Sequence, residues 1–422
     1  MSAIPAEARR GLFRLAALGG ARAMAAGLGL LAMLQLAPAA GPTVLGRWSM
    51  LLAVQGWALH LAECGLRSVV TAEGASTAGG PRRLLPVYLG TRLLLASLVT
   101  VLLLAGASML APETVPALAL VLTSLFAIAL QLDWLALVDD RPILAGALLL
   151  VRPAAWCLLL AFAGAPLELD DLAALFALAW GLAALASWPL LRPATAPAVG
   201  RAPPLSALAM LRLGVPLALV TLTNQGLLAA DLFLVGLVLG AERAGSYYLA
   251  TALVVAGLVL ANAANQSALA RIGALRARPA AARAELGRQL ATATGLGLAL
   301  ACLGALVGPL LVPRLFGPAF AETVPIFLAL LPWLALQHPS AVLQGASAAA
   351  RGQCPLLAGN LAMALVFGVA LAVALAAGST IGCALARSLA EAARLLVLAR
   401  ATRRIFAAVQ RTPVAGCPTI AT

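Results

Sequence analysis

Lysine is missing from this 422-residue chain, so all 28 basic residues are arginine. That absence rules out a Walker-type phosphate loop, which needs Gly-Lys-Ser/Thr, and Schiff-base chemistry on lysine. Histidine occurs only twice, at His60 and His338, too few for a histidine metal cluster. The six cysteines form no Cys-x-x-Cys pair, and most fall inside apolar runs, where cysteine acts as a small hydrophobe. Charge is scarce too. Only 10% of the chain is charged, against about 25% in a soluble domain.

Hydrophobic residues fill that space, at 63% of the chain. A water-facing surface cannot be built from such a composition, whereas a lipid-facing one requires it. The apolar residues come in runs of about 20, the length of a membrane-spanning helix. They do not show the alternating ten-residue pattern of an outer-membrane barrel. Twelve runs are expected to span, at 12–37, 45–67, 85–109, 115–138, 143–165, 171–191, 212–238, 245–270, 290–313, 323–347, 355–377 and 380–402. The first follows Arg9 and Arg10 and is longer than a signal-peptide core, so it reads as a retained helix. The fold class expected is therefore all-α and polytopic.

Arginine placement orients the spans. With the N-terminus inside, alternate loops carry Arg67, Arg82 and Arg83, then Arg141, Arg192 and Arg201, then Arg271 to Arg288, and Arg351. The opposite loops hold only Arg47, Arg243 and Arg314, together with most loop carboxylates. The positive-inside rule then places both termini in the cytoplasm of a bacterial inner membrane. The arginines of 271–289 lack interleaved aromatics, which excludes a nucleic-acid surface and leaves anionic lipid headgroups as their surroundings.

An internal repeat divides the chain. Arg14 opens the first span and Gly46-Arg47-Trp48 the second, while Arg212 opens the seventh and Gly245-Ser246-Tyr247 the eighth. The division expected is a six-helix bundle over 1–192, a proline-rich linker over 193–211, a second bundle over 212–404 and a tail over 405–422. Transporters built from such repeats bind substrate between the halves.

Several motifs resemble one family. Arg212-Leu213-Gly214-Val215-Pro216 opens the seventh span, and Ala230-Asp231-Leu232-Phe233-Leu234-Val235-Gly236 closes it. Ala244-Gly245-Ser246-Tyr247-Tyr248 and Leu315-Phe316-Gly317 follow in order. This order resembles the polysaccharide flippases (Wzx type) of the multidrug/oligosaccharidyl-lipid/polysaccharide exporter (MOP) superfamily. Leu45-Gly46-Arg47-Trp48-Ser49 and Ala62-Glu63-Cys64-Gly65 are similar to its first-half signatures, although Ser49 stands where the family has a second glycine. The resemblance implies a V-shaped, MATE-like pair of bundles and alternating access. It also implies flipping of polyprenyl-pyrophosphate-linked glycans to the periplasmic leaflet, alongside polysaccharide polymerase machinery.

Ionisable groups inside spans are costly, so they are candidate site residues. Arg22, Arg92, Arg152 and Arg387 are expected to meet a phosphate headgroup, and Asn224, Gln225, Asn262 and Gln266 to meet sugar hydroxyls. The competing readings are snorkelling arginines and interhelical hydrogen bonds. His60, Glu63 and Arg67 share one face of a continuous helix and form a candidate proton relay. Asp133 and Asp231 are candidate gating or coupling acids. No cofactor or metal is expected, and coupling to a proton or to sodium stays open. A drug antiporter of the same architecture is the first alternative. A membrane polymerase or ligase is the second, although no outer loop has the length for its catalytic site.

Overall fold

In the computed structural model, residues 6–76, 81–191, 206–222, 226–275, 278–349 and 353–411 are described. Among them every regular element is helical and there is no strand. The order is α1 (Ala6–Glu63), α2 (Leu66–Ser76), α3 (Leu85–Leu110), α4 (Val115–Leu130), α5 (Asp133–Val138), α6 (Pro142–Ala163) and α7 (Leu169–Ser187). Then follow α8 (Ala207–Thr221), α9 (Leu227–Leu239), α10 (Ala241–Ala274), α11 (Pro279–Phe316), α12 (Thr323–Ala349), α13 (Gln353–Ala376) and α14 (Thr380–Arg411).

Nine helices among the described residues are long and apolar enough to cross a membrane. The described residues of the twelve expected runs fall largely on helical segments, and the departures have local causes. The first range covers two runs, because α1 breaks at Gly41 (φ 69°), between Pro38 and Pro42. Only glycine enters that backbone region freely, and proline removes a helical N–H. The seventh run falls on α8 and α9, with 223–225 outside the described residues, and each of the two taken alone is too short to cross. The last run, α14, is not among the nine, and it carries Arg387, Glu391 and Arg394 inside its length.

The apolar side chains that packing leaves uncovered lie on the outer faces. Leu94 is 69% exposed, Phe162 86% and Leu365 71%, an arrangement that water penalises and lipid accepts. The chain is a multi-pass membrane protein.

The chain packs as two units. Unit 1 comprises 1–252 with 315–320, and unit 2 comprises 253–314 with 321–422. Packing thus groups α8, α9 and the start of α10 with unit 1. A cluster of Leu66, Val70, Tyr88, Leu132, Trp134 and Leu135 forms one core of unit 1. In unit 2, Ile272, Leu286, Val342, Leu343 and Leu398 form another.

Glycine sets two close approaches in unit 1. A methyl group on Gly46 would overlap the Ala241 carbonyl oxygen and lie 2.6 Å from its carbon. One on Gly245 would lie 2.8 Å from the Pro42 carbonyl carbon. The two repeat-signature glycines therefore bring α1 and α10 together backbone against backbone. At a second contact, a methyl group on Gly65 would lie 2.5 Å from the Gly214 carbonyl oxygen.

Candidate functional site

The first acidic candidates lie where α1 ends. Cys64 (φ 43°) and Gly65 (φ 66°) break the helix between Glu63 and Leu66. His60 and Glu63 therefore lie on α1, whereas Arg67 lies on α2. The single helix face expected for His60, Glu63 and Arg67 is not present, because left-handed backbone at two successive residues ends it. Glu63 keeps electrostatic reach of His60 and Tyr88. Arg67 instead pairs with Asp133 at 3.3 Å, the arginine side chain 40% exposed and the carboxylate 6%.

Asp133 opens α5 just after the break that separates it from α4. The Leu132 N–H freed by that break donates to Ser187 Oγ at 3.1 Å. Arg92 is buried, and its Nη1 donates to the Tyr88 hydroxyl at 2.6 Å. The Tyr88 ring packs edge-on against Trp134. Arg92 is thus part of a packed polar seam at the foot of unit 1.

Asp231 is fully buried on α9 and accepts a hydrogen bond from the Tyr247 hydroxyl at 2.6 Å. Two residues along α9, Phe233 packs edge-on against Trp57. Trp57 Nε1 donates to the Gly226 carbonyl at 2.8 Å, where α9 begins.

Arg152 lies ten residues into α6, about 15 Å along its axis. Its guanidinium carbon stands 4.8 Å from the centre of the Trp180 ring. Tyr248 lies within electrostatic reach. Phe176 meets Trp180 edge-on at 6.2 Å and is itself packed against Trp48 and Trp156. Arg152 therefore rests on an aromatic buttress drawn from α1, α6 and α7. Among the described residues no carboxylate pairs with it.

Unit 2 repeats the pairing of arginine with tryptophan. Arg387 is buried, with its guanidinium carbon 4.8 Å from the Trp333 ring centre. One and two turns along α14, Glu391 and Arg394 form an ion pair at 2.6 Å, the side chains 1% and 2% exposed. Arg394 also donates to Gln337 Oε1 on α12 at 2.9 Å.

The remaining candidates lie apart. Arg22 is exposed on α1, and Asn262 and Gln266 are exposed on α10. Asn224 and Gln225 lie outside the described residues. Glu391, Arg394, Gln337, Trp180 and Trp333 are absent from the residues singled out by sequence. The spacing Arg387, Glu391, Arg394 (i, i+4, i+7) marks one helix face and was the available signal.

No family model matches the chain, and no curated protein matches it by sequence. Solved structures do match. The lipid II flippase MurJ in an inward closed conformation superposes with TM-score 0.72 at 12% identity, over 92% of this chain and 88% of that one. An inward-facing multidrug resistance MATE family transporter of the MOP superfamily gives 0.67 at 14% identity, over 92% and 96%. The chain shares the fold of these two proteins. A third neighbour is a MOP superfamily transporter from Pyrococcus furiosus, described as having a binding pocket of reverse polarity. It gives 0.62 at 15% identity, over 94% of this chain and 96% of that one. Flippases and drug transporters thus share the fold, and what this chain carries must be argued from its own side chains.

Proposed function

We propose that the chain moves an amphipathic anion across the bilayer. The cargo is a polyprenyl-pyrophosphate-linked oligosaccharide, flipped to the periplasmic leaflet of a bacterial inner membrane by alternating access. It would feed surface polysaccharide synthesis, next to polymerase machinery. In this reading the chain is a transporter and not an enzyme, with both termini cytoplasmic and six-helix bundles over 1–192 and 212–404.

One observation carries the proposal: Arg152 lies at mid-span on an aromatic face with no carboxylate beside it among the described residues. Asp133 and Glu391 differ, since each is paired with an arginine, while Asp231 accepts a hydrogen bond from the Tyr247 hydroxyl. At Arg152 the charge that no carboxylate offsets is positive, which suits a phosphate headgroup and repels a cationic drug. A neighbour of reversed pocket polarity fits the idea that one fold takes cargoes of either sign. Asp231 favours a second reading, a small-molecule antiporter, because a fully buried carboxylate is the group a proton- or sodium-coupled exporter would use.

The test is deletion of the gene, followed by extraction of polyprenyl-linked glycans and a stain for surface polymer. A single lipid-linked repeat unit should accumulate while the polymer disappears, and Arg152→Gln should fail to restore it. Unchanged glycans and polymer would sink this reading, and a screen for exported drugs would then take its place.

A further inference from the structure

The Trp180 side chain is an odd choice for filling space. Its indole Nε1 is buried and has no acceptor among the described residues. An unmet buried N–H costs stability, and phenylalanine or leucine would pack without that cost. Phe176 meets the ring edge-on and is itself backed by Trp48 and Trp156, which stack on each other at 6.0 Å, so the ring is held without a hydrogen bond. What the chain retains is the indole face, on which the Arg152 guanidinium rests.

That partner has a consequence for the arginine. A carboxylate would neutralise the guanidinium and occupy its fork of N–H donors. An aromatic face attracts the cation through the ring quadrupole and accepts none of those N–H groups. Among the described residues nothing accepts a hydrogen bond from Arg152, so the fork stays unspent. Charge at this depth is normally paired or absent.

We infer that Trp180 is a positioning residue that keeps Arg152 charged and open at mid-span, and that the pair forms a site for a phosphate oxyanion on a lipid. This rests on the anionic-cargo reading above and adds the residue that sets its selectivity. Two coplanar phosphate oxygens match the guanidinium fork. A polyprenyl diphosphate and a phospholipid headgroup both supply such a phosphate, and the chemistry at Arg152 is the same for both.

The full chain, in nanodiscs of zwitterionic lipid, is titrated with farnesyl diphosphate and separately with short-chain phosphatidylglycerol. Tetraphenylphosphonium serves as the cationic control. Thermal midpoints are recorded for every variant. Trp180→Phe keeps an aromatic face and should bind within about fivefold of the parent, with no loss of thermal stability. Trp180→Leu should weaken diphosphate binding about tenfold or more and relax the discrimination against tetraphenylphosphonium. Arg152→Gln should abolish binding. Tighter binding of farnesyl diphosphate than of phosphatidylglycerol assigns the site to the polyprenyl cargo, and equal binding assigns it to phosphate headgroups in general. Parent-like affinity in Trp180→Leu, with Arg152→Gln still inactive, overturns the role of Trp180 and leaves the anion site standing. Parent-like affinity in Arg152→Gln overturns the anion site as well.

Discussion

Replacing Gly46 with alanine tests the closest helix contact in unit 1. The new methyl group would lie 2.6 Å from the Ala241 carbonyl carbon and 2.9 Å from the Gly245 nitrogen. Carbon atoms rest at about 3.5–4.0 Å, so α1 and α10 must part by at least about 1 Å, and by more to clear the overlapping Ala241 carbonyl oxygen. Both obstacles are backbone, and no side chain can swing aside. Overpacking of this kind costs about 1–3 kcal/mol, enough to shift a conformational equilibrium by about 5–150-fold. Ser49, one turn from Gly46 and fully buried, provides the reporter. In the nearly isosteric Ser49→Cys protein, a maleimide should react slowly at position 49, located by peptide mass spectrometry. Adding Gly46→Ala should speed that reaction at least fivefold. Equal rates with an unchanged thermal midpoint would show that the backbones do not meet here.

Two further outcomes follow from the ion pairs. Glu391→Gln or Arg394→Leu alone should destabilise unit 2 by about 3–5 kcal/mol, since each strands a charge or its hydrogen-bonding partner in the interior. The double replacement Glu391→Leu/Arg394→Met should recover most of that loss, and a double variant no more stable than the singles would contradict the argument. At the foot of unit 1, a double-mutant cycle should find coupling of up to about 1 kcal/mol between Arg67 and Asp133, weakened by salt. The same cycle between Arg67 and Glu63 should find none, because the break at Cys64–Gly65 separates them.

The helices were legible because lipid demands long apolar runs, and composition alone meets that demand. Their breaks were less so. Gly41 lies between two prolines and was readable as a turn, but Cys64 in left-handed backbone carries no sequence signal that distinguishes it from a helical cysteine. For that reason Arg67 was assigned to Glu63, its neighbour along the chain, when its partner is Asp133, 66 residues away. Arg152 and Arg387 could be picked out as charges in apolar text. Their tryptophan partners could not, because Trp180 and Trp333 are as apolar as the spans around them and only packing brings them under a guanidinium. The partners of Asp231 and Arg394 likewise depend on which helix faces meet.

The boundary between the units falls between Ala252 and Leu253, inside the 34-residue helix α10. No loop separates them there. Cutting the chain at that point would leave about four carbonyls and four N–H groups without partners, and lipid supplies none. The units are therefore not interchangeable modules that a gene could shuffle or a protease could free. A split version of this protein, expressed as two fragments, should reassemble only when cut outside α10.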